Sequence, residues 1–112
     1  GTYISGLKDG IWKIVEGDLL EIGKFVSGSK DGEWRYYYPS KKLYFKGNFN
    51  QGIADGKHQF FYPNGRLQEE QFYSSGFPVG LWRKFSDDGL VTITIQYKDG
   101  VAYKVNGYRV EE

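Results

Sequence analysis

From residue 33 the chain alternates between ring-bearing and polar positions. Trp34, Tyr36 and Tyr38 point one way, and Arg35 and Tyr37 point the other. Period two is the signature of a half-buried strand. After Pro39-Ser40-Lys41-Lys42 a second alternating run places Leu43, Phe45, Gly47 and Phe49 on one face. Closing these runs into a hairpin predicts that Tyr38 faces Leu43, Tyr36 faces Phe45, Trp34 faces Gly47 and Gly32 faces Phe49. Each large ring then lies across from a glycine, which gives it room and lets it shield bare backbone. The first hairpin tests this register, since Gly17-Asp18 replaces the four loop residues. Glu16 then faces Leu19 and Trp12 faces Gly23. A shift of two keeps every side chain on its face, whereas a shift of one would invert them. Further along, His58 falls opposite Gln71, and Trp82 falls opposite Ile95, which breaks the ring–glycine rule. Leu19, Leu43, Leu67 and Val91 are expected to open each second strand on the Trp face.

The same pattern returns along the whole chain. An aromatic is followed three residues later by Gly, four later by a second Gly, and two later by Trp or His. The copies are Tyr3-Gly6-Gly10-Trp12, Phe25-Gly28-Gly32-Trp34, Phe49-Gly52-Gly56-His58 and Tyr73-Gly76-Gly80-Trp82. A fifth opens at Tyr97 and Gly100 and decays at Lys104. From Phe25 onward the step is 24 residues, and the first step is 22. Periods of this size mark stacked arrays whose units cannot bury their apolar face alone. The Gly-x-x-x-Gly links are expected to be the turns between hairpins, with Asp-Gly at 9–10, 31–32 and 55–56 supplying turn chemistry. Asn106-Gly107, between Ala102–Val105 and Tyr108–Glu111, is a type I′ hairpin signal. Glu111 and Glu112 suit a polar terminal edge. The predicted fold is all-β: a single-layer twisted antiparallel meander of about ten strands. One repeat domain spans 1–112, with units near 3–24, 25–48, 49–72 and 73–96 and a capping hairpin over 97–112.

Composition narrows the function classes. Twenty-one aromatics and 16 glycines in 112 residues oppose a helical protein. Fifteen basic and 14 acidic residues leave a net charge of +1, which provides no electrostatic footprint for nucleic acid. Without cysteine there are no disulfides or thiolate metal sites. No apolar run approaches the ~20 residues of a membrane helix. The first residues are Gly-Thr-Tyr with no methionine, which suggests a processed or engineered start. Compartment stays open: exported or surface-anchored if a leader was removed, cytoplasmic otherwise.

The aromatic-x-x-Gly-x-x-x-Gly-x-Trp unit resembles the MORN repeat (membrane occupation and recognition nexus). The aromatic strand that follows, the Asn64-Gly65-x-Leu67 turn and the 24-residue step are closer to its bacterial variant. The resemblance covers about residues 3–100. It implies an extended twisted sheet of successive hairpins, acting as a scaffold or binding module. Proteins with that variant include antitoxin-like and uncharacterised exported proteins. The motif positions are framework, so no catalytic residue carries over, and His58 and Lys104 depart from the pattern.

Catalytic chemistry finds little support in the residues. His58 is the sole histidine and stands at a Trp position, which makes it a framework side chain. Together with Trp12, Trp34, Trp82, Gly10, Gly32, Gly56 and Gly80 it forms the expected structural frame. No Ser has a triad partner. Glu69 and Glu70 point to opposite faces of a strand. Asp87-Asp88-Gly89 reads as a hairpin loop and lacks the further oxygens of a calcium loop. No glycine pair precedes Lys-Ser/Thr and a helix, as a phosphate loop requires. Neither metal nor cofactor is expected.

The candidate binding residues lie on the other face. Three residues past each Trp or His stand Val15, Tyr37, Phe61 and Phe85, joined by Tyr44 and Phe72. Such an apolar row either binds a partner or a second copy, or is covered as the sheet curls. The expectation is a non-enzymatic scaffold engaging another protein or itself. Its rivals are an antitoxin that neutralises a toxin, and a surface domain that binds lipid or glycan.

Overall fold

A computed structural model describes residues 1–109. It is all-strand, one antiparallel meander whose spatial order follows the chain. The strands are β1 (Thr2–Ile4), β2 (Leu7–Glu16), β3 (Leu19–Val26), β4 (Ser29–Tyr37), β5 (Leu43–Asn50) and β6 (Ile53–Phe61). They continue as β7 (Leu67–Ser74), β8 (Phe77–Pro78), β9 (Gly80–Phe85), β10 (Val91–Lys98), β11 (Val101–Val105) and β12 (Tyr108–Arg109). Twelve strands exceed the expected ten because Thr2–Ile4 pairs with β2, and because Val79 separates β8 from β9. The slab measures 50 × 33 × 17 Å. Its long axis is near the ~53 Å that eleven successive strands at ~4.8 Å would span. Every strand belongs to one sheet and contacts chiefly its sheet neighbours, so among the described residues there is no second layer.

The central register is as expected: Trp12↔Gly23, Trp34↔Gly47, Gly32↔Phe49, Tyr36↔Phe45, His58↔Gln71 and Trp82↔Ile95. The outer register is corrected. Tyr37, not Tyr38, pairs with Leu43, and Phe61↔Leu67 and Phe85↔Val91 follow the same rule. A bulge at each place inserts one extra residue in the second strand. Leu43, Leu67 and Val91 therefore oppose the Tyr37–Phe61–Phe85 row, while Leu19 pairs with Glu16 in the unbulged first hairpin.

The links are corrected as well. Only two residues turn: Ser27-Gly28, with φ of 49° and 84°, joins β3 to β4. Both lie in the left-handed region, as a type I′ turn requires. Gly10, Gly32 and Gly56 lie inside β2, β4 and β6, so the Asp-Gly pairs are strand residues. Gly32 keeps a φ of 76° beside the irregularity between Ile22 and Lys24. Asn106-Gly107 turns as expected, and β11 pairs with β12. Val110, Glu111 and Glu112 lie outside the described residues.

A one-layer sheet can bury little, and the buried apolar side chains are few: Phe25, Trp34 and Phe45. Phe25 and Trp34 belong to a ladder of mostly edge-on rings along the Trp face, and Phe45 packs at a tilt against Tyr36, His58 and Phe60. One run is Tyr3–Trp12–Phe25–Trp34 and the other is Phe49–His58–Tyr73–Trp82–Tyr97, with centroids 4.7–6.1 Å apart. Lys30 bridges the two runs, its Nζ 4.6 Å from the Trp34 ring and 5.5 Å from Phe49.

Candidate functional site

The framework positions have a shared chemical logic that the sequence pattern does not express. Trp34 Nε1 donates to the Lys24 carbonyl at 3.0 Å, and Trp82 Nε1 donates to the Phe72 carbonyl at 3.0 Å. His58 Nε2 meets the Asn48 carbonyl at 2.8 Å. Each acceptor lies ten residues back, on the preceding strand. Lys24 and Asn48 sit where the ladder slips against β4 and β6. A bulge leaves ladder groups unpaired, and burying one unpaired is costly. Only Trp and His offer an aromatic ring with an N–H, so Phe and Tyr are absent from this slot while common elsewhere. Trp12 has only the short β1 before it and donates instead to the Asp9 carbonyl.

The rings accordingly lean backward rather than across their own hairpin. A Cβ added to Gly23 would collide with the Trp34 ring, and one added to Gly47 would collide with Phe45 Cζ and lie 2.7 Å from His58 Nδ1. Trp34 shields Gly23, and Phe45 and His58 together shield Gly47. The expectation that Trp34 covers its register partner Gly47 is therefore corrected. Trp82 shares the lean in its bond to the Phe72 carbonyl, but its ring packs both on Tyr73 of the preceding hairpin and on Tyr97 of its own.

His58 is 4% exposed. Burial lowers its pKa below the ordinary 6.5, against the opposing pull of the Asn48 bond. Unfolded imidazole titrates near ~6.5. As pH falls through that value the unfolded chain takes up a proton before the native one does. Stability is thus complete above about 6.5 and declines as pH drops toward the native pKa. The expected result is that a His58→Trp protein folds and lacks this decline. Denaturation midpoints of both proteins at pH 7 and 5.5 check it, and equal losses would remove His58 from the pH response.

On the opposite, back face the cross-strand row Lys13–Ile22–Arg35–Lys46–Gln59–Glu70–Arg83 runs in continuous register. Glu70 is buried, with Arg83 Nη2 at 2.6 Å and Lys57 Nζ at 3.4 Å. Burial pushes its carboxyl up, but Arg83 and then Lys57 outweigh this and hold it below the usual range. Glu69 turns to the other face, toward Lys84. Among the described residues no three His, Asp or Glu side chains are grouped to hold a metal ion.

The candidate binding residues are only partly brought together. Tyr37, Phe61 and Phe85 are half-buried, at equivalent ends of β4, β6 and β9. Their register partners Leu43, Leu67 and Val91 continue the row. Tyr44 does not join it. At its bulge it packs between Tyr38, at 5.0 Å, and Phe60, at 6.3 Å. Phe72 pairs with Lys57, five residues along β7 from Leu67 and so about 16 Å away. Sequence reasoning missed the loop tyrosines. Tyr38 Oη donates to the Phe61 carbonyl at 2.8 Å, and Tyr62 Oη donates to the Phe85 carbonyl at 2.6 Å. The recurrence of Tyr-Pro at 38–39 and 62–63 was the available signal.

The family model for the MORN repeat variant matches residues 30–51 and 54–75. These windows coincide with the hairpins β4–β5 and β6–β7. The similarity thus rests on the two central units, and it suggests a repeat binding module. No curated protein matches the chain.

Proposed function

We propose that the protein is a non-enzymatic scaffold that binds another protein through the loop-side half of its back face, along Tyr37, Phe61 and Phe85. MORN repeats are typically non-enzymatic, which agrees with this reading. The observation that carries it is the row itself: three rings at 24-residue spacing, half-exposed on a slab with no second layer among the described residues. Uncovered contiguous apolar surface on a soluble protein commonly marks an interaction site. Aromatic side chains are the usual anchors of such interfaces, each worth ~2 kcal/mol or more when removed.

Changing Tyr37, Phe61 and Phe85 together to Ser is expected to abolish partner retention on an affinity resin and to keep the far-UV spectrum of the sheet. Retention of the same partner by the triple variant would refute the site. Outright unfolding would identify the row as core.

A further inference from the structure

Between the first two hairpin loops lies a cavity of about 330 Å³ lined by Leu20, Ile22, Tyr37, Tyr38 and Pro39, with the exposed Asp18 and Lys41 completing it. It arises from unequal loops. The first hairpin closes through Gly17-Asp18, whereas the second continues past the Leu20↔Tyr37 pair into residues 38–42. The longer loop therefore projects beyond the shorter hairpin. Its wall is fixed, because the Tyr38 hydroxyl is tied to the Phe61 carbonyl. The positions of Leu20 and Ile22 become Tyr44 and Lys46, then Gln68 and Glu70, one and two units later. This apolar floor is therefore particular to the first unit.

Charge distinguishes the surroundings. Ile22 has Lys13 as its register partner on one side and Arg35 on the other, and Arg35 in turn pairs with Lys46. Glu33 is shared between Arg35, at 3.1 Å, and Lys46, at 3.4 Å. Lys13 and Lys24 form no ion pair among the described residues, although Asp31 lies opposite Lys24 toward the turns. Further along the sheet Glu70 is shared in the same way by Arg83 and Lys57. Lys13, Arg35, Lys46 and the rim residue Lys41 thus stand beside the cavity against Glu33 and Asp18, which leaves its surroundings net positive.

We infer that this cavity is the anchor subsite of the partner surface, and that it takes one large apolar side chain from a protein segment whose flanking residues are acidic. The inference rests on the partner-binding reading above and narrows it to a chemistry. The volume is at the low end of the ~300–1,000 Å³ of ligand pockets and suits a single anchoring side chain. Cations around it supply complementarity to flanking carboxylates. A second copy docked by the same face would set Lys13, Arg35 and Lys46 against their own kind, which disfavours self-association there.

The test is selection of random displayed dodecamer peptides against the whole chain, followed by anisotropy titration of the enriched peptides. Enriched sequences should place Leu, Ile, Phe or Trp beside two or more acidic residues. Binding should weaken by about tenfold or more in Ile22→Ser and in the Arg35→Gln/Lys46→Gln double variant, as loss of one anchor predicts. It should also weaken with added salt and stay unchanged in Tyr108→Ser, an exposed side chain at the opposite edge of the sheet. Each variant is first checked by its amide NMR spectrum, and the charge variant decides if Ile22→Ser does not fold. Peptides that depend on Phe61 and Phe85 but not on Ile22 would overturn this subsite and leave the wider row standing. Enrichment of basic or purely apolar peptides would overturn the inference. So would preferential binding of phosphatidylserine vesicles, self-association through this face, or the absence of any enrichment.

Discussion

Trp34→Ala is expected to destabilise the protein by ~3–5 kcal/mol, the range for emptying a buried aromatic site. Trp34 is 0% exposed, the largest fully buried side chain among the described residues. Its ring packs on Phe25 at 4.9 Å, lies under Lys30 and covers Gly23. Its loss also removes the indole N–H donated to the Lys24 carbonyl. A domain of ordinary stability has only ~5–15 kcal/mol in total, so this variant approaches the unfolding threshold. Trp34→Phe should restore most of the packing and leave about 1 kcal/mol unrecovered, the typical worth of the missing hydrogen bond. Denaturant midpoints followed by far-UV circular dichroism measure both. A Trp34→Ala protein within ~0.5 kcal/mol of the original would mean that the ring ladder does not hold the sheet.

Gly23→Val is the second large effect and the sharper test of geometry. The added side chain must displace the Trp34 ring, which has Phe25 on one side and Lys30 over it. Overpacking costs typically ~1–3 kcal/mol, and here the expected cost is at the upper end because the displaced group is fully buried. In the double variant Gly23→Val/Trp34→Ala the two losses should be strongly non-additive, since one change removes what the other collides with. Gly47→Val should instead couple to Phe45→Ala and to His58→Ala. Additivity at the Gly23–Trp34 pair, or coupling of Gly47 to Trp34, would restore the simpler picture of rings lying across their own hairpins.

Much of this molecule was legible in its sequence. The 24-residue step, the period-two alternation and the two-residue difference between loops determined the meander, the ring–glycine register and the identity of the two faces. These follow from local rules, because side-chain direction in a strand depends only on counting residues. What the counting could not supply was every place where the count slips. The bulges at Tyr44, Gln68 and Thr92 moved Leu43, Leu67 and Val91 opposite the back-face row and turned Tyr44 out of it. The slips at Lys24 and Asn48 decided that Trp34 and His58 lean onto the preceding hairpin. A bulge is selected by the fit of a strand to both of its neighbours, so no single hairpin encodes it. The cavity over Leu20 and Ile22 has the same origin. Its walls come from two loops of different length, and only the assembled sheet sets one beside the other.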